Sequence, residues 1–321
     1  MGLKTAIPWT TSTFNPWIGC TKVSVSTPEG DISHGGACDN CYAEELDRVR
    51  FSKTLGGGTK LVPISHWGLG APRYRTSASA WSDVHKWNKA REEACGQWAL
   101  LKGPKPEPHR VFCASLADVF DNQVPEGWRR DLWDLIRATP YLSWLLVTKR
   151  VGNVERMVPG AWRDVFSPHV RLLISVSNQY EADRDIPKLL ALPCKNGISY
   201  EPALGPVDWS KIKAPADGSL QLCAGGKPRR RVEWIIVGGE STQGAGKARP
   251  FDLAWARSTV AQCKAAGVPV FVKQIGSYPV TGPSNSPYVI SGRYFEDRTT
   301  TRAGADPAEW PEDLRVQCFP E

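Results

Sequence analysis

The stretch that decides the fold is residues 111–148, V-F-C-A-S-L-A-D-V-F-D-N-Q-V-P-E-G-W-R-R-D-L-W-D-L-I-R-A-T-P-Y-L-S-W-L-L-V-T. It starts with a short apolar run at 111–114, which is typical of a buried strand. The apolar residues of 128–139 then recur at the spacing of an amphipathic helix. A second apolar run, 144–148, predicts the next strand. A strand, a helix and a strand without a hairpin turn between them favour parallel pairing.

The same alternation continues along the chain as far as residue 273. It predicts strands at 170–176, 197–200, 232–237 and 268–273, and helices at 154–157, 180–192 and 253–266. Six or seven such units predict an α/β fold, a full or partial TIM-type (β/α) barrel of six to seven parallel strands. A doubly wound open sheet is the alternative.

We expect one main domain and a tail. Residues 1–276 form the barrel domain, with a helix at 43–53 and an insertion at about 54–108 that contains glycine clusters, prolines and one helix around 80–101. Residues 277–321 form an irregular C-terminal extension, in which 292–298, G-R-Y-F-E-D-R, is a candidate hairpin.

Composition excludes several classes of protein. No apolar run approaches the length of about eighteen residues that a membrane-spanning helix needs, and residues 1–9 lack the apolar core of a signal peptide. The nine cysteines are an odd number and mostly scattered, which favours a reducing compartment over a disulfide scaffold. We therefore expect a soluble cytoplasmic protein with no membrane partner.

The net charge is +7, and much of the excess lies in the run 227–231, K-P-R-R-R. Such a run is usually a solvated loop, although it would attract a phosphate backbone. The charge permits contact with nucleic acid without requiring it.

Three cysteines, Cys20, Cys38 and Cys41, are spaced C-x17-C-x2-C ahead of the helix predicted at 43–53. Three thiolates on a four-iron cluster leave one iron without a protein ligand, and that iron can bind a small molecule. His34 would instead complete a Cys3His set of the kind that holds a structural zinc. Unligated thiols are the third possibility.

Polar or ionisable residues follow each predicted strand. In a parallel barrel these strand ends share one mouth, where reacting groups gather. A single such residue is as often a loop residue in solvent or a helix N-cap. The series comprises Ser115 and Asp118, then Thr148, Lys149 and Arg150, then Ser175, Ser177 and Asn178, then Glu201, then Glu240 and Ser241, and finally Lys273 and Gln274.

Several motifs resemble one family along most of the chain. They are N-P-W-I-G-C-T-K-V-S at 15–24, C-D-N-C-Y-A-E at 38–44, A-S-L-A-D-V-F at 114–120, L-L-V-T-K-R at 145–150, S-V-S-N-Q at 175–179, S-Y-E-P-A-L-G-P at 199–206, V-G-G-E-S at 237–241 and F-V-K-Q-I-G at 271–276. The chain is similar to the phage Gp37/Gp68 family (DUF5131), a radical-SAM-like group with a three-cysteine motif ending in C-Y-A. Its first cysteine gap is longer than in relatives, with 25–37 as an insertion.

The resemblance implies a [4Fe-4S] cluster on Cys20, Cys38 and Cys41. Its open iron would bind S-adenosylmethionine (SAM), and an electron from an external donor would split SAM into methionine and a 5′-deoxyadenosyl radical. On this basis we expect the cofactor-binding residues to be Asp118 for the methionyl ammonium, Lys149 or Arg150 for its carboxylate, Ser177 or Asn178 for the ribose hydroxyls, and also Tyr42 and Ser115. Glu201, Glu240 and Lys273 remain as catalytic residues for the substrate.

Two functions of different classes follow. The first is a radical SAM enzyme, working in the host cytoplasm if a phage encodes it. Its preferred substrate is a nucleic-acid base or nucleotide that it modifies or repairs, and a peptide or small metabolite is the alternative. The second is a zinc-stabilised barrel, with His34 as the fourth ligand, that binds nucleic acid or a phage protein without catalysis. A family member that keeps the fold without activity is a third possibility.

Overall fold

The computed structural model describes residues 5–23, 36–214, 218–219, 231–242, 248–281, 286–287, 289–290, 293–294 and 303–320. His34, residues 227–230 of the basic run and all but two residues of the candidate hairpin 292–298 lie outside these described residues.

Strands and helices alternate over most of the described chain. The strands are β1 Ser12–Thr13, β2 Trp17–Ile18, β3 Tyr74–Arg75, β4 His109–Cys113, β5 Leu142–Thr148, β6 Val170–Ser175, β7 Lys195–Tyr200, β8 Lys213–Ala214, β9 Gly218–Ser219, β10 Ile235–Gly238, β11 Phe251–Asp252, β12 Val270–Gln274, β13 Pro279–Thr281, β14 Ser286–Pro287, β15 Val289–Ile290 and β16 Arg293–Tyr294. The helices are α1 Tyr42–Val49, α2 Ala78–Leu101, α3 Glu126–Ala138, α4 Val154–Met157, α5 Ala161–Asp164, α6 Gln179–Ala191 and α7 Leu253–Ala266.

Seven strands form one sheet, in the order β1-β4-β5-β6-β7-β10-β12. The β1–β4, β4–β5, β7–β10 and β10–β12 pairs are parallel. The α/β class and a seven-stranded parallel sheet are therefore confirmed. The sequence missed β1, which enters the sheet by pairing Ser12 with Val111 and Thr13 with Phe112.

The chain divides into two compact units, of which the first comprises Met1–Lys22, Leu46–Leu173 and Pro193–Lys195. Its core includes buried side chains of α3, β4 and β5. Leu132 and Ile136, four residues apart on α3, are fully buried, as helical periodicity requires of a face that packs on a sheet. Phe14 packs edge-on against Trp144 of β5, with ring centroids 6.0 Å apart.

The second unit comprises Val23–Glu45, Ile174–Leu192 and Asn196–Glu321. Helix α7 begins where the Asp252 side chain accepts a hydrogen bond from Ala254 N, and it ends at Gly267, whose φ of 66° suits glycine. The C-terminal segment covers the edge of β12: Val272 N donates to Val316 O at 2.8 Å and Cys318 N donates to Val270 O at 2.9 Å. Covering an edge strand in this way satisfies its backbone groups.

None of the helices in the described part of the chain is long and apolar enough to cross a membrane.

Candidate functional site

The backbone around Cys20 is fixed at the end of β2. Gly19 N donates to Leu116 O at 3.0 Å, and Cys20 O accepts from Gly68 N at 2.9 Å. Gly19 has a φ of +112°, and a Cβ on it would lie 2.4 Å from His66 O. Only glycine fits at this position. Close backbone packing therefore requires glycine at the position before the first cysteine.

Arg150, two residues beyond the end of β5, reaches this segment. Its Nη1 lies 3.5 Å from Cys20 Sγ, and its Nη2 donates to Thr21 O. The same Nη1 lies 3.0 Å from Asp118 Oδ2 in an ion pair whose side chains are 10% and 8% exposed. One guanidinium thus joins the thiol, the backbone after it and a buried carboxylate.

Four groups donate hydrogen bonds to the Asp118 carboxylate. Oδ1 accepts from Phe120 N at 2.9 Å and from Thr148 Oγ1 at 2.8 Å. Oδ2 accepts from Lys149 N at 3.2 Å and from Arg150 Nη1 at 3.0 Å. An ionised carboxylate offers about four lone-pair sites, so these donors account for the full capacity of Asp118.

The Cys20 thiol resists ionisation. Burial raises its pKa to about 12, with the Asp118 carboxylate adding to the rise and the Arg150 guanidinium opposing it. The metal-free protein therefore keeps a proton on Cys20 at neutral pH, and a bound metal must displace it.

Cys38 and Cys41 lie in the turn that leads into α1. Asp39 N donates to Gly36 O at 3.0 Å across the turn, and Glu45 N donates to Cys41 O at 3.1 Å as the first turn of the helix forms. Both thiols are partly exposed. Tyr42, the first residue of α1, is 43% exposed.

Glu240 lies beside this turn, just after β10. Its Oε2 accepts from Asn40 Nδ2 at 2.9 Å, and its Oε1 lies 2.5 Å from Arg249 Nη2. The structure therefore brings a predicted catalytic residue against the segment that carries two of the three cysteines.

Glu201 and Lys273 form a second strand-end pair in the same unit. Glu201 Oε1 lies 3.0 Å from Lys273 Nζ, with side chains 11% and 22% exposed. A Cβ on Gly238, in β10 between their two strands, would lie 2.6 Å from that oxygen. No described residue gives this buried oxygen a well-aligned hydrogen bond, so the pair retains capacity for a further partner.

Ser177 and Asn178 take part in capping α6. Asn178 Oδ1 accepts from Glu181 N at 3.0 Å, and Glu181 Oε2 accepts from Ser177 N at 2.7 Å. This reciprocal pattern is a variant of the capping box. The Ser177 hydroxyl is buried and has no hydrogen-bond partner among the described residues.

Ser115 and Lys149 have hydrogen-bond partners within the first unit. Ser115 Oγ accepts from Asn15 Nδ2 at 3.0 Å, and Asn15 Oδ1 accepts from Leu116 N at 2.7 Å. Lys149 contributes its backbone N–H to Asp118. Within the residues that the structure describes, no three His, Cys, Asp or Glu side chains are grouped to hold a metal ion.

Sequence reasoning missed several residues that bind the two cysteine segments through hydrogen bonds and ion pairs. Arg73 forms a buried ion pair with Asp121 at 2.7 Å and donates to Thr21 Oγ1 at 2.6 Å. Arg249 and Asn40 were also missed. These residues lie in irregular segments, where no apolar periodicity marks a position as important, and their partners are distant in sequence.

The model of a protein family, described as "Protein of unknown function (DUF5131)", matches residues 4–305. This match agrees with the resemblance of the sequence motifs. No curated protein and no solved structure matches the chain.

Proposed function

The chain belongs to the DUF5131 family, and from that premise we propose that it is an iron–sulfur, SAM-dependent radical enzyme on a partial TIM-type barrel. Cys20, Cys38 and Cys41 would hold a [4Fe-4S] cluster. The observation that carries the proposal is the setting of Cys20, whose thiol lies 3.5 Å from a guanidinium fixed by a buried carboxylate. The Arg150 cation partly offsets the burial that raises the pKa of this thiol, and in that way favours the thiolate that an iron ligand must become.

The donor chemistry fits a cluster. None of the three thiols is in a disulfide, and all three cysteine residues are partly exposed. Thiolate sulfur is the usual ligand of iron–sulfur clusters, and three such ligands leave one iron open. When bound, the cluster supplies the electron that cleaves a carbon–sulfur bond of SAM, after an external donor has reduced it.

The chain's own residues would position the cofactor. Arg150 orients the Cys20 segment through its hydrogen bond to Thr21 O. Asp118 in turn orients Arg150, because the Asp118 carboxylate is itself fixed by four hydrogen-bond donors. We keep the Lys149 and Arg150 cations as partners for the carboxylate of SAM. Asp118 then acts on the methionyl end of SAM through Arg150, because its own lone pairs are engaged.

The Glu201–Lys273 pair is our candidate for substrate chemistry. A carboxylate and an ammonium 3.0 Å apart can exchange a proton with a substrate group that inserts between them. Ser177, with its buried hydroxyl, remains the candidate for the ribose of SAM, while Asn178 orients the start of α6.

The substrate we propose is a nucleic-acid base or nucleotide. The net charge of +7 supports this choice because a cationic surface attracts phosphate groups. The enzyme would then modify or repair that base.

The test of the proposal is iron content. Protein purified without oxygen should be brown and should contain iron and sulfide, and Cys20→Ala, Cys38→Ala and Cys41→Ala should each lose most of the colour. Cys95→Ala is the matched control, because Cys95 is also partly exposed but lies on α2. A colourless protein that carries one zinc ion, lost in His34→Ala, would support the zinc-stabilised, non-catalytic alternative instead.

A further inference from the structure

We propose that Glu240 and Arg249 are positioning residues that set the geometry of the Cys38–Cys41 turn, and that Glu240 does not act on the substrate. We call this pair the Glu240–Arg249 clamp. The inference depends on the proposed function in one respect only, which is the identity of the group that Cys38 and Cys41 bind. The clamp itself rests on contacts within one unit of the chain.

The two side chains form a forked ion pair. Arg249 Nη2 lies 2.5 Å from Glu240 Oε1, and Arg249 Nε lies 3.1 Å from Oε2. The backbone N–H of Arg249 also donates to Oε2, at 2.9 Å. The carboxylate is 5% exposed and the guanidinium 22%. A two-point pair of this kind fixes orientation as well as distance.

The clamp also binds the Cys38–Cys41 turn, at two points. Arg249 Nη1 donates to Gly36 O at 3.2 Å, two residues before Cys38. Asn40 Nδ2 donates to Glu240 Oε2 at 2.9 Å, between Cys38 and Cys41. Because the two attachment points flank Cys38, the clamp restrains the turn on both sides of that thiol.

The clamp is itself anchored to the sheet. Gln274 Nε2, at the end of β12, donates to Gly239 O at 2.7 Å, and Ser277 N donates to Glu240 O at 2.8 Å. Gly239 is packed so closely that a Cβ would lie 2.8 Å from Ile275 O. Hydrogen bonds therefore fix the backbone of residues 239 and 240. The Glu240 side chain in turn fixes the position of the Cys38–Cys41 turn.

The hydrogen bonds of Glu240 argue against a role in proton transfer. Its two oxygens accept from Arg249 Nη2, Arg249 Nε, Arg249 N and Asn40 Nδ2. Oε2 accepts three of these hydrogen bonds and Oε1 accepts one, so the carboxylate is engaged by internal donors and by the Arg249 cation. Asp118 shows the same pattern beside Cys20, with four donors that include Arg150. Each cysteine segment is thus bound by an arginine whose carboxylate partner accepts from several internal donors.

The test is cysteine labelling of the metal-free, full-length protein with iodoacetamide, resolved residue by residue by peptide mass spectrometry. The variants are Arg249→Lys, which keeps the charge but loses the fork, and Glu240→Gln, which keeps the shape. Asn40→Ala is the mild variant, since it removes one donor of the turn. Arg257→Lys is the matched control, because Arg257 pairs with Asp313 at 2.6 Å elsewhere in the same unit.

We expect Cys38 and Cys41 to be labelled about tenfold faster in Arg249→Lys and Glu240→Gln, and about threefold faster in Asn40→Ala, because the turn opens more often. Labelling of Cys20 should stay within about twofold of the wild type in every variant, as should all labelling in Arg257→Lys. Far-UV circular dichroism checks that each variant is folded, and Asn40→Ala decides the question if the other two are not.

Wild-type labelling rates at Cys38 and Cys41 in the folded variants would overturn the clamp. So would an equal acceleration at Cys20, because that would indicate general loosening of the protein. Iron bound per chain after reconstitution is the second readout, and it should fall in the clamp variants but not in Arg257→Lys. If the wild type binds no iron, the proposed function fails while the labelling still decides the clamp.

Discussion

Asp118 and Arg150 form a buried ion pair, and the guanidinium that lies 3.0 Å from the Asp118 carboxylate also lies 3.5 Å from the Cys20 sulfur. The carboxylate thus acts on the first cysteine through the arginine. This relation predicts that Asp118 contributes both to the stability of the fold and to the position of the arginine that contacts the Cys20 thiol.

Asp118→Asn should destabilise the protein by about 3 kcal/mol, because it leaves the Arg150 cation buried without its partner. Urea unfolding measures this change. Asp134→Asn is the matched control: its pair with Arg137 is 63% and 73% exposed, and its loss should cost less than about 0.5 kcal/mol. Equal losses in the two variants would contradict the role assigned to the buried pair.

Two partly buried histidines predict that stability falls in mild acid. Burial lowers the pKa of His109 from its usual 6.5, and the nearby Arg91 cation lowers it further. Burial likewise lowers the pKa of His169; the hydrogen bond to Ile136 O opposes this shift, and the Lys195 cation adds to it. Below about pH 6.5 the unfolded chain binds protons at these positions that the folded chain does not, so this stability is present above pH 6.5 and is lost as the pH falls.

Urea unfolding between pH 7.5 and pH 5 measures this dependence, and His109→Gln should reduce the slope. His85→Gln is the control, since His85 is exposed on α2. A slope in His109→Gln equal to that of the wild type would show that this ring does not titrate as its burial requires.

His34→Ala separates the two metal sites that the cysteine spacing allows. We expect the iron and sulfide content of His34→Ala to equal that of the wild type, because three thiolates hold a four-iron cluster and the open iron binds SAM. Loss of one bound zinc ion in this variant would favour the Cys3His site. Metal analysis by mass spectrometry of the purified proteins distinguishes the two results.

Glu201→Gln and Lys273→Met test the division between cofactor and substrate groups. Since this pair is assigned to the substrate, both variants should keep SAM cleavage without substrate within about threefold of the wild type. Chromatography of the 5′-deoxyadenosine that is released measures the rate. A loss as complete as in Cys38→Ala would place the pair at the cofactor instead.

Much of the fold could be predicted because the strands and helices after residue 108 carry strong local patterns. The predicted helices 154–157 and 253–266 agree with α4 and α7, and strands β4, β5, β6, β7, β10 and β12 lie within a few residues of their predicted positions. Strand β1 was missed because two residues show no periodicity, and it is held by pairing with residues about 100 positions away. The edge contact of Val316 and Cys318 with β12 is equally non-local.

The candidate site could be predicted as a set of positions but not as a set of contacts. The rule that polar groups gather at strand ends found Asp118, Glu201 and Glu240. It could not show that Asp118 and Glu240 are engaged by internal donors, because those donors depend on tertiary packing. Asn40 and Glu240, for example, are separated by 200 residues in the chain.

The most direct test of the central claim is the formation of 5′-deoxyadenosine from SAM. The protein is reconstituted anaerobically with iron and sulfide and then incubated with SAM and a strong reductant. We predict 5′-deoxyadenosine in stoichiometric or greater amounts from the wild type and from Cys95→Ala, and none from Cys20→Ala, Cys38→Ala or Cys41→Ala. Wild-type protein that carries a full complement of iron and sulfide but leaves SAM intact would contradict the claim.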